Sequence, residues 1–162
     1  MTRALIRSAS VAKAGKSGKV NHPAAPGEGG KWREMLAKAK SHKIVLLAKD
    51  FAGIKAGTKM YVATPQIIDR YLRAIPFGHS RTVEQMRLEL AREHQCAATC
   101  PISTAIFVRI SAEAALEDLA EGKPLDQVAP FWRLLEPEAK IAQRLSVDPA
   151  WIAARRAAEQ SN

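Results

Sequence analysis

The sequence predicts a mainly helical fold with a small β element, set behind a flexible basic N-terminal arm. Three observations predict it. Helix-start signals at Thr64-Pro65, Thr82-x-x-Gln85 and Asp148-Pro149 each open an apolar stripe of helical spacing. Two β-prone runs, Ile44–Ala48 and Lys59–Ala63, flank a loop that contains Gly53 and Gly57. Residues 1–30 are rich in Ala, Gly, Lys, Ser and Pro and end in PGEGG, a composition that buries too little apolar surface to fold.

Taken in order, the arm covers residues 1–30. KWREMLAKAK follows, with Trp32, Met35, Leu36 and Ala39 spaced for a short amphipathic helix. The two β runs then predict a hairpin or cap, so residues 31–63 read as one unit and residues 64–162 as the main domain. In TPQIIDRYLRAI, Thr64 is the N-cap and Pro65 the first helical position. Ile67, Ile68, Tyr71, Leu72 and Ile75 line its inner face until Pro76 and Gly78 end it. TVEQMRLELAREH opens on a capping box, Thr82 with Gln85, and should bury Val83, Met86 and Leu90, with Leu88 as a further candidate. A longer helix runs from near Pro101 to before Gly122. Two consecutive helices with a brief connection satisfy the helix-turn-helix pattern, the second being presented to the major groove. KPLDQVAPFWRLL reads as short and β-like, a further helix should start at Pro137, and DPAWIAARRAAEQ supplies the last. The whole is expected to be a winged-helix or helix-turn-helix-like DNA-binding domain.

Charge and composition narrow the function. Residues 1–62 hold 13 Lys/Arg against 3 Asp/Glu, whereas residues 63–162 hold 12 against 13. The excess cations therefore lie in the arm and the unit after it, where they can displace counterions from phosphate. No run approaches the ~18 apolar residues of a membrane span, so no membrane partner is expected. The first twenty residues lack an apolar stretch of secretory length, and two cysteines make no disulfide framework. A cytoplasmic, nucleoid-associated protein without a cofactor is expected.

From Ile75 onward the chain resembles the DNA-binding domain of the O6-alkylguanine-DNA alkyltransferases. IPFG at 75–78 is similar to that family's I-P-[YF]-G lead into its helix-turn-helix. GKPLDQVAPFWRL at 122–134 aligns without a gap to the active-site block G-N-P-x-P-I-x-I-P-C-H-R-V, with Gly122, Pro124, Val128, Pro130 and Arg133 matching. WIAARRAAE is similar to the closing helix, whose buried glutamate falls on Glu159. The family transfers an alkyl group irreversibly to the loop cysteine, activated by the neighbouring histidine. Here Phe131 stands at the cysteine and Trp132 at the histidine, and neither ring can accept the group or act as base. The resemblance is thus to the alkyltransferase-like branch, which binds alkylated guanine in DNA and flags it for excision repair. Duplex DNA and excision-repair proteins are the partners it implies. The family's base-rotating tyrosine aligns with Val83 and its intercalating arginine with Ala114, with Arg109 as a substitute; its glycine-rich pocket loop is absent.

The DNA-contacting candidates are Arg81, Thr82, Ser103, Thr104, Arg109 and Lys123, joined by Phe131, Trp132 and Arg133 of the loop, with Pro130 and Glu159 structural beside the pocket. Phe131 and Trp132 have two readings. Either they fill the space of a lost cysteine site, or one of them faces a groove or stacks on a base. The acids Glu113, Glu117, Asp118 and Glu121 argue against the rear half of the long helix lying on DNA. His94, Cys96 and Cys100 invite a zinc reading, but the spacing is not C-x-x-C, and a buried thiol at a helix start is the simpler account. Cys100 is also the one candidate for thiol chemistry, as an alternative alkyl acceptor. A plain winged-helix regulator or nucleoid protein is the other alternative.

Overall fold

The computed structural model describes residues 30–162, so the arm expected over residues 1–30 lies outside the described residues apart from Gly30. Within them the fold is mainly helical, five α-helices and a three-stranded sheet. α1 (Lys31–Ala37) leads into β1 (Lys43–Leu46) and β2 (Lys59–Val62), which pair antiparallel with Ile44 opposite Tyr61. The hairpin follows from the two β-prone runs. β3 (Ala98–Thr99), which sequence patterning missed, pairs parallel to the other edge of β2. Two residues carry no detectable period; only the placement of β2 beside them makes them a strand.

The capped helices form where their signals stand. In α2 (Pro65–Ala74) the Thr64 hydroxyl accepts the Ile67 N–H at 3.2 Å. In α3 (Val83–Glu93) both bonds of the capping box are made between Thr82 and Gln85, at 2.9 and 3.0 Å. Met86 and Leu90 are buried, while Leu88 points to solvent. α5 (Pro149–Gln160) starts on the Asp148 carboxylate, which accepts the Ala150 N–H at 2.9 Å.

α4 (Pro101–Ala120) is the central helix, flanked by α1 and α2. Its sequence is apolar on nearly every side, which is the pattern of a buried helix, and Ser111 to Glu117 are all buried. The acids there have structural partners. Gly30 gives α1 no side-chain cap; the Glu117 carboxylate supplies one from α4, accepting the N–H groups of Trp32 at 3.0 Å and Arg33 at 2.9 Å. Negative charge at a helix N-terminus also suits its dipole. Glu113 accepts the Ser146 N–H at 3.0 Å.

Two expectations fail between α4 and α5. The β-like stretch 123–135 contains no strand; it forms 3-10 turns at Leu125–Gln127 and Phe131–Arg133. Pro124 and Pro130 lack the N–H a ladder needs, and the chain bonds locally instead, Leu134 N–H to Phe131 C=O at 3.1 Å. The helix expected from Pro137 is only a turn at Ala142–Arg144, because the Ser146 N–H is drawn to Glu113 and Asp148 already starts α5. Among the described residues no strand follows α4; β1 and β2 precede α3, and β3 lies between α3 and α4.

Candidate functional site

Glu159 organises the site. It sits in the last turn of α5, buried, with its carboxylate facing the Phe131–Arg133 turn. Trp132 Nε1 donates to it at 2.7 Å. Arg133 donates from Nε at 2.8 Å and from Nη2 at 3.0 Å. The Gly78 N–H donates at 3.1 Å. Arg133 Nη1 continues to the Ile75 carbonyl at 2.7 Å, and the Arg81 N–H returns to the Arg133 carbonyl at 2.9 Å. The stretches 75–78, 131–133 and 159 are thereby tied into one network. Gly78 is favoured there by its φ of +76°, which suits glycine; a Cβ would make only ordinary contact with the Glu159 carbonyl oxygen.

The electrostatics match this geometry. Burial alone pushes the Glu159 carboxyl up, but hydrogen bonds from Arg133, Trp132 and Gly78 outweigh it and hold the group below its ordinary value. A carboxylate so engaged has no lone pair left to take a proton from a nucleophile, and no thiol is in the network. Cys96 and Cys100 are both buried elsewhere, Cys96 with its Sγ 3.4 Å from the His94 carbonyl oxygen and Cys100 against Leu47 and Met60. Among the described residues, no three His, Cys, Asp or Glu side chains group to hold a metal ion.

Phe131 and Trp132 are 0% and 2% exposed, which corrects their assignment as DNA contacts. They form an aromatic trio with Trp151 of α5, Phe131 stacked on it at 5.8 Å and Trp132 edge-on at 5.6 Å. The rings belong to the core because the turn folds inward onto α5, where burial and the Nε1 bond to Glu159 hold them. The space beside Gly78, Trp132 and Glu159 measures about 10 Å³, room for a water, and a second recess of about 220 Å³ shares Trp132, Arg133 and Glu159 and is also lined by Phe77 and Arg155. Pro130 is buried with them, as its structural assignment requires.

The remaining candidates do not converge. Thr104 is buried and its hydroxyl donates to the Cys100 carbonyl at 2.6 Å, so it is corrected from a phosphate contact to a helix-internal bond. Thr82 is exposed but serves as the cap of α3. Arg81 lies 3.7 Å from Glu89, and Lys123 pairs with Asp118 at 2.8 Å. Arg109 stacks over Trp32 at 5.2 Å. Ser103 stands at the start of α4 and Lys123 beyond its end, roughly 30 Å apart at 1.5 Å per residue. Three participants went unnoticed in the sequence. Arg156 donates to the Trp132 carbonyl at 2.9 Å, Trp151 completes the trio, and the exposed Phe77 ring carries the Arg133 guanidinium at 5.6 Å. Arg156 precedes Glu159 by three positions on one helix face, a spacing that could have flagged it.

No protein-family model, curated protein or solved structure matches the chain. Among the described residues no helix is long and apolar enough to cross a membrane.

Proposed function

We propose that the protein is a non-catalytic, alkyltransferase-like DNA-binding protein that holds duplex DNA without removing an alkyl group. One observation carries this reading. The three stretches that resemble the alkyltransferases, 75–78, 130–133 and Glu159, meet in a single hydrogen-bonded cluster although they are far apart in the chain. In that cluster Trp132 Nε1 donates to the glutamate where the resemblance puts an imidazole, and Phe131 occupies the place of the sulfur. Aromatic carbon cannot form the thioether, so the reading is of binding alone. α3 and α4 would be the helix pair of a winged-helix-type domain, and the cations concentrated in residues 1–62 would supply affinity through phosphate. Excision-repair proteins are the partners this reading implies.

The burial of both rings favours a more specific version, in which DNA is bound without a base being extruded. Fluorescence anisotropy with duplexes carrying guanine or O6-methylguanine, at low and moderate salt, tests both. Steep salt dependence is expected, with deletion of residues 1–30 weakening binding to all sequences alike. Equal affinity for the two duplexes supports binding without extrusion, and a clear preference for the methylated one supports lesion recognition. No binding at low salt overturns the proposal. Intact mass after incubation with methylated DNA should be unchanged; an adduct on Cys96 or Cys100 would overturn the non-enzymatic assignment.

A further inference from the structure

A groove of about 430 Å³ opens between α1, α4 and the turn at Ala142–Arg144, on surface that the Glu159 cluster does not use. Its apolar lining includes Trp32, Ile106 and Ile141, its cations are Arg109, Lys140 and Arg144, and no acid lines it. Arg109 Nε is buried without a hydrogen-bond partner. The nearest carboxylate, Glu113, is 3.9 Å away and accepts the Ser146 N–H instead. Among the described residues Lys140 and Arg144 take part in no ion pair. The apolar surface runs on past the groove. Ile102 and Ile106 are each 52% exposed, and Ile110, four residues further on and itself buried, lines the groove behind them, so the exposed pair spans about 6 Å along one face of the helix.

We propose that this face docks an acidic amphipathic helix of another protein. Its apolar side would lie along Ile102 and Ile106 and reach into the groove toward Trp32 and Ile141, and its carboxylates would meet Arg109, Lys140 and Arg144. Charge selects that occupant. Residues 1–29 hold five Lys/Arg against one acid and would bring cations to cations, and a second copy of the chain, at a formal +9, has no excess of acid to offer. Nucleic acid suits the charge but not the isoleucines, because base edges are read mainly by hydrogen-bonding side chains. A small anion confined to the groove would leave Ile102 uncovered. Helix-in-groove recognition covers both the exposed pair and the cations, with anchors at helical spacing.

The test uses the full chain and a designed peptide of about four helical turns, with leucines on one face and glutamates on the other. A twin peptide has lysine at each glutamate. By fluorescence anisotropy the glutamate peptide should bind saturably, and the lysine twin at least about tenfold more weakly. Ile106→Ser, and separately Lys140→Gln combined with Arg144→Gln, should each weaken the glutamate peptide about tenfold while leaving thermal stability unchanged, since these side chains are exposed or on the surface. Equal binding of the two peptides, no binding of either, wild-type affinity in both variants, or displacement by a guanine duplex would each overturn the proposal. The last outcome would assign the face to nucleic acid. A chain that binds the peptide but no DNA would support the docking face while removing the DNA-binding reading.

Discussion

Glu159 and Glu113 are both buried carboxylates, and their surroundings push them in opposite directions. Burial raises both. At Glu159 the bonds from Arg133, Trp132 and Gly78 reverse that effect, and the carboxyl ends below its ordinary value. At Glu113 the bonds from Ser146 and the attraction of Arg109, 3.9 Å away, do not, and burial keeps the group raised. Around Glu159 every donor converges on the carboxylate. Around Glu113 the nearest guanidinium is turned to Trp32 and the surface beyond it is an open groove. The region whose sequence most resembles a reactive site is therefore tied together by its own hydrogen bonds, whereas the face beside Glu113 was read in the sequence only through Arg109, as a DNA contact.

The difference is open to direct attack. Glu159→Ala leaves the Trp132 N–H without an acceptor and Arg133 without its carboxylate, holding only the Ile75 carbonyl, and should cost about 3–5 kcal/mol in urea unfolding. The melting temperature should fall on the order of 10 °C; a loss below about 1 kcal/mol would mean the network contributes little. Glu117→Ala removes the cap of α1 and should cost about 1–2 kcal/mol. Faster hydrogen exchange over residues 31–37 would localise that loss, and unchanged protection would show that α1 does not depend on it. Thr82→Ala, an exposed cap with no cation attached, should cost only about 1 kcal/mol and sets the scale for capping alone.

The smallest effect is the most diagnostic. A depressed carboxyl contributes stability that is present above its unfolded value and lost as pH falls through its folded one, so Glu159 should lose its contribution below the ordinary carboxyl value of 4.5. Glu113, raised, works the other way: it weakens the fold at neutral pH, and that penalty is relieved as pH falls through its folded value. Urea unfolding across pH should show Glu159→Gln flattening the acid limb. Glu113→Gln should stabilise slightly at neutral pH, with the gain fading toward acid. Parallel curves for the two variants would contradict the contrast.

Much of the helical framework was legible because its signals are local. Thr64, Thr82 and Asp148 bond to N–H groups two or three residues away, so a capping residue and the stripe behind it determine α2, α3 and α5 whatever surrounds them. The clustering of cations in residues 1–62, the hairpin between two β-prone runs and the loss of a sulfur nucleophile from the loop also belong to the chain itself. What only tertiary structure decided depends on partners far along the chain. α1 is capped by Glu117, β3 exists because β2 lies beside it, and residues 122–147 turn because prolines deny them a ladder while Glu113 takes the Ser146 N–H. Whether Phe131 and Trp132 face a groove or the core was decided the same way, by Glu159 and Trp151 arriving on α5 to enclose them. A hydrogen bond across three residues is dictated by composition at one spot; one across twenty-seven, from Trp132 to Glu159, exists only once the core has brought its ends together.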